Sequence, residues 1–492
     1  MEPSPTPNDP RTEALNEGPV ARQRSWVLYW MTSARRPVWN WALQRAAAWA
    51  EKLGKPLLVL ETLNCGHRWA TRRGHRFVLE GMADNAAYLA RRTVSYYPFL
   101  EREAGQALQL AEALSKRACL VVADDFPIER FVRDALTLAV RADVLVERVD
   151  SNGLMPMRIA GRDYSVAFAF RRYLQKSLPD YLLELPEAHP LDRVQLPEPA
   201  KLPVAFQARW PRVPDAWLAD SSRLPLDLPI DENVDSGPAR GGSVAAGRVL
   251  ADFLRHKLAG YAESHNHPDH NATSGLSPYL HAGHISAQQI FHKICQAEDW
   301  SPDRLSGKAG GEREGWWGMS PSAEAFLDQL VTWRELGFNM CAQRRDYDRF
   351  ESLPAWAQAT LGQHRRDPRP VLYDRTQLES AETHDRLWNA AQNQLLQEGL
   401  IHNYLRMIWG KKVLQWSPNA QQALETLVDL NNKYALDGED PNSYSGIFWV
   451  LGRYDRPWGP QRPIFGTVRY MSSENAQRKL RLREYLARYA PL

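Results

Sequence analysis

Four short apolar runs constrain the first third of this chain more than any other feature. They are "SWVLYWM" (Ser25–Met31), "PLLVLETL" (Pro56–Leu63), "CLVVADD" (Cys119–Asp125) and "DVLVERV" (Asp143–Val149). Each has the length of a buried strand. Helix-patterned stretches fall between them. One runs from Trp39 to Leu53 and stops at Gly54, a residue suited to the left-handed cap of a helix. A second lies around Arg76–Ala90, and another separates the last two runs. Strands alternating with helices predict a parallel sheet with right-handed crossovers, a doubly wound α/β domain over residues 24–178. No G-x-G-x-x-G follows the first strand, which removes the standard dinucleotide fingerprint.

Proline sets the next boundary. Eleven of the 34 prolines lie between Pro179 and Pro238, a density that forbids long helices. Residues 179–243 are therefore expected to form an extended interdomain linker. From about Val244 the apolar spacing turns helical, beginning with Val249, Leu250, Phe253, Leu254, Leu258 and Tyr261 on one stripe. A large all-helical domain is expected over 244–492. Residues 1–23, rich in Pro, Glu and Arg, read as a disordered tail without the apolar core of a signal peptide.

Composition narrows the function classes. No apolar run approaches the eighteen or so residues of a membrane helix, and the expected location is the cytoplasm, beside the nucleoid if the source is bacterial. Cys65, Cys119, Cys295 and Cys341 are scattered without a C-x-x-C pair, so neither a disulfide framework nor a zinc ribbon is expected. The net charge of +3 is unremarkable, but from Arg453 onward there are nine Lys or Arg against three Asp or Glu. Tyr454, Trp458, Phe465 and Tyr470 are interleaved with them, a pattern that fits nucleic-acid binding as well as a plain solvated face.

Five of the 13 histidines crowd into His265–Ser286. The spacing of His265, His267 and His270 matches no helix-borne ligand pattern, and Pro268 and Asn271 place them in a loop, so no metal is expected. "TSGLS" (Thr273–Ser277) sets three hydroxyls around a glycine just before Pro278. Such a loop can aim N–H and O–H groups at a phosphate, although a plain turn would look the same.

In its combination of pieces the chain resembles the photolyase and cryptochrome superfamily, and most closely a class II cyclobutane pyrimidine dimer photolyase. The carrying segments keep the family's order: "WVLYWM", "NWAL" (Asn40–Leu43), "SGLSPYLHAGHISAQ" (Ser274–Gln288), "THDRLWNAAQ" (Thr383–Gln392), "WGKKVLQW" (Trp409–Trp416), "LDGEDPNSY" (Leu436–Tyr444) and "DRPWGPQRPIFGTVRYM" (Asp455–Met471). The resemblance implies an all-α FAD-binding domain behind the α/β domain and light-driven repair of pyrimidine dimers in DNA. The active FAD would be fully reduced. It also implies a possible deazaflavin antenna in the N-terminal domain, and a monomer with no obligate protein partner.

Site residues follow from the same resemblance. Thr273, Ser274, Gly275, Leu276 and Ser277 would cradle the FAD pyrophosphate, with Tyr261, Arg406, Asp437 and Gly438 as further flavin contacts. Asn431 matches the residue beside flavin N5, where an amide can both donate and accept. Trp388, Trp409 and Trp416 match a three-tryptophan electron chain. Trp333 and Trp449 would bracket the flipped-out dimer, base extrusion being an established habit of this class. Arg456, Arg462 and Arg469 would hold DNA phosphates or fill the vacated duplex. Departures from the family pattern gather on the substrate side and the electron path. Gln329 replaces the glutamate that contacts the dimer, Phe338 an aspartate, and Ile408 a common tyrosine. "YMSSENA" replaces a stretch rich in Asn, Tyr and Gly. Two other readings share the residues: a cryptochrome-like photosensor without repair, and a light-independent flavin-containing DNA-binding protein.

Overall fold

A computed structural model describes residues 9–490. The chain forms two units: one comprises 1–159, 180–248 and 276–293, and the other 160–179, 249–275 and 294–492.

The first unit is built on a six-stranded sheet. In chain order the elements are β1 (Thr12–Ala14), β2 (Trp26–Met31), α1 (Trp41–Leu53), β3 (Leu57–Leu63), α2 (Arg72–Leu89), β4 (Ser95–Leu100), α3 (Gln106–Ser115), β5 (Ala118–Asp124), α4 (Glu129–Arg141) and β6 (Val146–Val149). Strand order is β1-β6-β5-β2-β3-β4, parallel except for β1. Every residue of β2, β3 and β5 is buried, the reason these strands read as continuous apolar runs. Helix α1 begins where the Asn40 side chain accepts from the Leu43 N–H and ends at Gly54 with φ 61°.

Two expectations for this unit need correction. The N-terminal segment is ordered from Asp9: β1 pairs antiparallel with β6, and the Arg11 guanidinium donates to the Leu154 carbonyl at 2.6 Å. Residues 1–8 of the expected tail lie outside the described residues. Nor is 179–243 an extended linker. Residues 180–248, which include all of it but Pro179, belong to the first unit, burying Trp210, Val213, Leu224 and Leu228 against it. Proline removes backbone donors and long helices but leaves side chains free to bury, so the segment lies along the domain. Strand β4 was missed because Pro98 sits inside it; as an edge strand it tolerates the lost N–H.

The second unit is helical and mixed in pitch. The stripe expected from Val249 to Tyr261 is broken by a π-helical turn, Phe253–Lys257, and a 3-10 turn, Leu258–Gly260. A second π-helical turn, Asp328–Trp333, interrupts the helix that runs on through Arg334–Gln343. Such bulges recur at functional sites because they re-aim side chains within a continuous helix. Asn403–Trp416 is buried nearly all round, and its Gly410 faces Val450 so closely that an added Cβ would lie 2.5 Å from a Val450 methyl. No helix among the described residues is long and apolar enough to cross a membrane.

Candidate active site

The sheet of the first unit fixes one crevice. The chain runs outward through β2, β3 and β4, then returns to place β5 beside β2, so the topological switch lies between β2 and β5. Ligands of doubly wound sheets bind outside the carboxyl ends of the strands at that point. There, Trp30, Thr32, Arg35, Asn64, Asp124 and Arg130 are among the residues lining a small pocket of about 20 Å³. Its wall is held by Asp124. One carboxylate oxygen accepts the N–H groups of Thr32, Ser33 and Ala34 at 2.8, 2.8 and 2.9 Å, and the other accepts the Tyr29 hydroxyl at 2.7 Å.

The remaining candidates lie mostly in the second unit. Around Asn431 the chain is knitted by amides. Asn431 is buried and donates to Ser443 Oγ and, at 3.1 Å, to Asn432 Oδ1, which also accepts the Glu439 N–H at 2.9 Å. Gly438 lies against this turn, where a Cβ would stand 2.8 Å from Asn432 Cα. Arg406 donates to Asp437 at 2.8 Å, both side chains partly exposed. His402, at the start of the Arg406 helix, is buried with neither ring nitrogen in hydrogen-bond geometry. Burial pushes its pKa down to about 4, and the nearby His265 backbone, which favours the cation a little, does not offset this. Tyr261 stacks on His265 at 4.6 Å and meets Phe253 and Phe326 edge-on. Desolvation, then the charge of Asp328, raises its phenol pKa.

The division between units falls within the "TSGLS" loop, with Thr273, Ser274 and Gly275 on one side and Leu276 and Ser277 on the other. Gly275 has φ +68°, a left-handed conformation that other residues rarely adopt. Four of the loop histidines are engaged by protein groups. His265 Nδ1 lies 2.6 Å from the Tyr261 carbonyl, His267 and His270 both meet Arg481, and His284 Nδ1 accepts the Gly242 N–H at 2.9 Å.

These residues fit a flavin. A buried amide, a guanidinium–carboxylate pair and a buried imidazole with unmet hydrogen bonds offer the donors and acceptors that an isoalloxazine edge requires. Hydroxyls beside a left-handed glycine suit a pyrophosphate.

The three tryptophans form a contact chain. Trp409 and Trp388 stack with centroids 6.3 Å apart and planes 4° off parallel, and Trp388 meets Trp416 edge-on at 5.6 Å. All three are buried. The Trp388 indole donates to the Trp409 carbonyl at 3.0 Å and the Trp409 indole to Gln392 at 2.9 Å.

On the proposed DNA side, Trp333 closes the π-helical turn and Trp449 lies near the end of Pro441–Val450; both are half-buried. Their helices cross with Gly337 against the Pro441 carbonyl, where a Cβ would stand at 2.7 Å. Gln329, also half-buried, occupies the same π-helical turn as Trp333. Arg469 bridges two rings, 5.8 Å from the centroid of Trp449 and 4.2 Å from that of Trp458, and Arg456 lies 4.5 Å from Trp458. Arg462 is exposed over Tyr470. Sequence reasoning missed Lys411. It is buried, lies 4.9 Å from the Trp449 centroid and donates to the Val450 carbonyl at 2.6 Å. Desolvation lowers its pKa to about 7. Its only sequence signal was a lysine pair inside an apolar helix.

Comparison with known proteins agrees with this geometry. The DNA photolyase family model matches residues 27–193. The deoxyribodipyrimidine photo-lyase of Methanothermobacter thermautotrophicus is 32% identical over 481 residues, covering 97% of each chain. That of Oryza sativa subsp. japonica is 34% identical over 475 residues, covering 94% of this chain and 87% of its own. A bacterial class III photolyase structure from Agrobacterium tumefaciens superposes with a TM-score of 0.65 at 18% identity, covering 95% of this chain and 86% of its own, a likeness of fold. With matched relatives above 30% identity along nearly its whole length, this chain belongs to the DNA photolyase family.

Proposed function

We propose that this protein is a deoxyribodipyrimidine photolyase that repairs cyclobutane pyrimidine dimers in DNA under light, with FAD as its cofactor. The observation that carries the reading is the buried Trp409–Trp388–Trp416 contact chain, set in the same helical unit as the Arg406–Asp437 pair and Asn431. The nearly full-length match to relatives named as photo-lyases supports repair over a sensory role. The class II assignment rests on the motifs quoted above.

Fully reduced FAD, when bound, supplies the one-electron photochemistry that opens the cyclobutane ring. The protein supplies binding, orientation and electrostatics. Asn431, Arg406, Asp437, Tyr261 and Gly438 would hold the flavin, and Thr273, Ser274, Gly275, Leu276 and Ser277 its pyrophosphate. Trp333 and Trp449 offer flat faces that accept any extruded base. Arg456, Arg462 and Arg469 neutralise phosphates, so affinity falls with salt. A deazaflavin antenna would be held by the first unit.

The test is a repair assay. The flavin-loaded protein is photoreduced, and a thymine dimer in a short oligonucleotide is followed under blue light and in darkness. Loss of the dimer only in light is the expected result. A dimer that persists in light while the flavin photoreduces would replace this reading with the photosensor.

A further inference from the structure

The histidine-rich loop is tied down by a segment distant in sequence. Residues 480–490 lie across its turn at Pro268–His270. The Arg481 backbone N–H donates to His267 Nδ1 at 3.2 Å, its guanidinium donates to His270 Nε2 at 3.0 Å, and its carbonyl accepts the Asp269 N–H at 3.3 Å. The Asp269 carboxylate accepts the Tyr485 N–H at 2.9 Å, near the start of the helix Arg483–Tyr489. Thr273, where the proposed pyrophosphate loop opens, comes three residues after His270. The same segment fixes the helix that carries Arg406. The Tyr485 hydroxyl donates to Gln394 Oε1 at 2.9 Å, and that oxygen also accepts the His402 N–H at 3.0 Å, immediately before Asn403–Trp416.

The two ends of this segment are fastened by different chemistry. At the far end Glu398 accepts the Arg488 guanidinium and the Tyr489 hydroxyl, each at 2.6 Å, groups that keep their charge state around neutral pH. At the loop end the acceptors are imidazoles. A ring nitrogen accepts only while it carries no proton. A proton on His267 or His270 removes an acceptor and sets a cation beside the guanidinium. The charged and titratable groups around the two rings are His265 and Asp269 on their own loop, Arg481 on the segment and His402 on the helix side. Asp269 alone of these favours an imidazolium. Desolvation, then His270, Arg481 and His265, holds the His267 pKa below its ordinary value.

We propose that residues 480–490 are a positioning strap for the flavin loop, latched by Arg481 on neutral His267 and His270, and that protonation of these histidines releases the strap and lets FAD leave. The inference rests on the reading of Thr273–Ser277 as the flavin loop. Arg481 and Tyr485 act through the loop and through the head of the Arg406 helix. The latch is closed above the histidine range, where both rings accept, and is lost as pH falls through it.

FAD retention by the full chain tests this. The flavin-loaded protein is diluted at about pH 8 and at about pH 5.5, on either side of the ordinary histidine value. Released FAD is read by its fluorescence while circular dichroism follows the fold. Loss of two hydrogen bonds should speed release from the wild type by about tenfold or more at the acid pH. The paired replacement His267→Asn with His270→Gln keeps an amide oxygen at each acceptor position without a titrating ring, and should release FAD equally at both pH values. Asp269→Ala removes the acceptor for Tyr485 and should speed release at both. In the FAD-free protein, hydrogen-exchange protection of the Arg481 and Tyr485 amides should fall at the acid pH in the wild type and hold in the paired variant. Wild-type release that ignores pH, or that accelerates equally in the paired variant, would overturn the latch and leave FAD binding standing. A chain that holds no FAD even at the higher pH would overturn the flavin reading, and this inference with it.

Discussion

The indole N–H of Trp333 donates to Asp328 at 3.2 Å, and the same carboxylate receives the Arg171 guanidinium through contacts of 2.8 and 3.1 Å. Arg171 and Asp328 side chains are 7% and 10% exposed, so one desolvated ion pair sets the ring proposed to bracket the dimer. It also commits Asp328, which therefore cannot make up for the charge missing at its neighbour Gln329.

Asp328→Ala leaves Arg171 buried without its counter-charge. Stability should fall by about 3–5 kcal/mol, the usual cost of breaking a buried pair from one side. Urea denaturation measures it. A double replacement of Asp328 and Arg171 by leucine should recover much of that loss without recovering dimer binding, since Trp333 still lacks its acceptor.

Gln329→Glu restores the family's charge on the π-helical turn. A charge-assisted contact is worth roughly 1.5–3 kcal/mol, about tenfold to a hundredfold in an equilibrium constant, so dimer-containing DNA should bind more tightly within that range and the repair yield per photon should rise. An unchanged yield under matched flavin occupancy would show that Gln329 is not the weak point.

Lys411 carries a testable sign. Its pKa of about 7 in the folded protein lies below the 10.5 of a free lysine, so between those values the unfolded chain holds more protons. Stability then rises with pH across that window by up to about 1.4 kcal/mol per unit for this one group. Lys411→Met should abolish that slope and stabilise the protein at neutral pH by an amount on the order of a few kcal/mol. The same variant should loosen Trp449 and weaken binding of dimer-containing DNA. Denaturation at several pH values and a binding titration read the two effects separately.

His284 predicts the acid side. It is buried with its Nε2 unpartnered, Gly81 leaves room for its ring, and burial lowers its pKa to about 3 from 6.5. Below pH 6.5 the unfolded state binds a proton that the folded state refuses, so its share of stability is lost as pH falls from there toward 3. His284→Gln should flatten the stability profile by about 1.4 kcal/mol per unit in that window. A parallel profile for variant and wild type would place the acid sensitivity elsewhere.

Much of the fold was legible because its signals are local. The four strand runs and the Gly54 cap reappear where the spacing put them, since a buried parallel strand needs a continuous apolar run and a left-handed cap needs glycine. Strands β1 and β4 were not legible: one is three residues long, the other contains Pro98, and each is an edge strand. The π-helical turns were equally silent, because a π turn slips the apolar phase without any marker residue. At the site, the motifs brought forward Arg406, Asp437 and the tryptophans; in the structure Arg406 meets Asp437, and Trp388 touches both Trp409 and Trp416.

By itself, then, the sequence determined the α/β alternation, the helical remainder and the residue types available to a flavin and to DNA. Tertiary structure decided that 160–179 joins the helical unit, that Arg171 meets Asp328 across 157 positions, that Lys411 lies buried beside Trp449, and that Tyr373 and His384 pack against Trp416. The physical reason is one of range. Backbone propensity and apolar period are set within a few residues, whereas the worth of a charge or a proton acceptor depends on which distant groups replace its water.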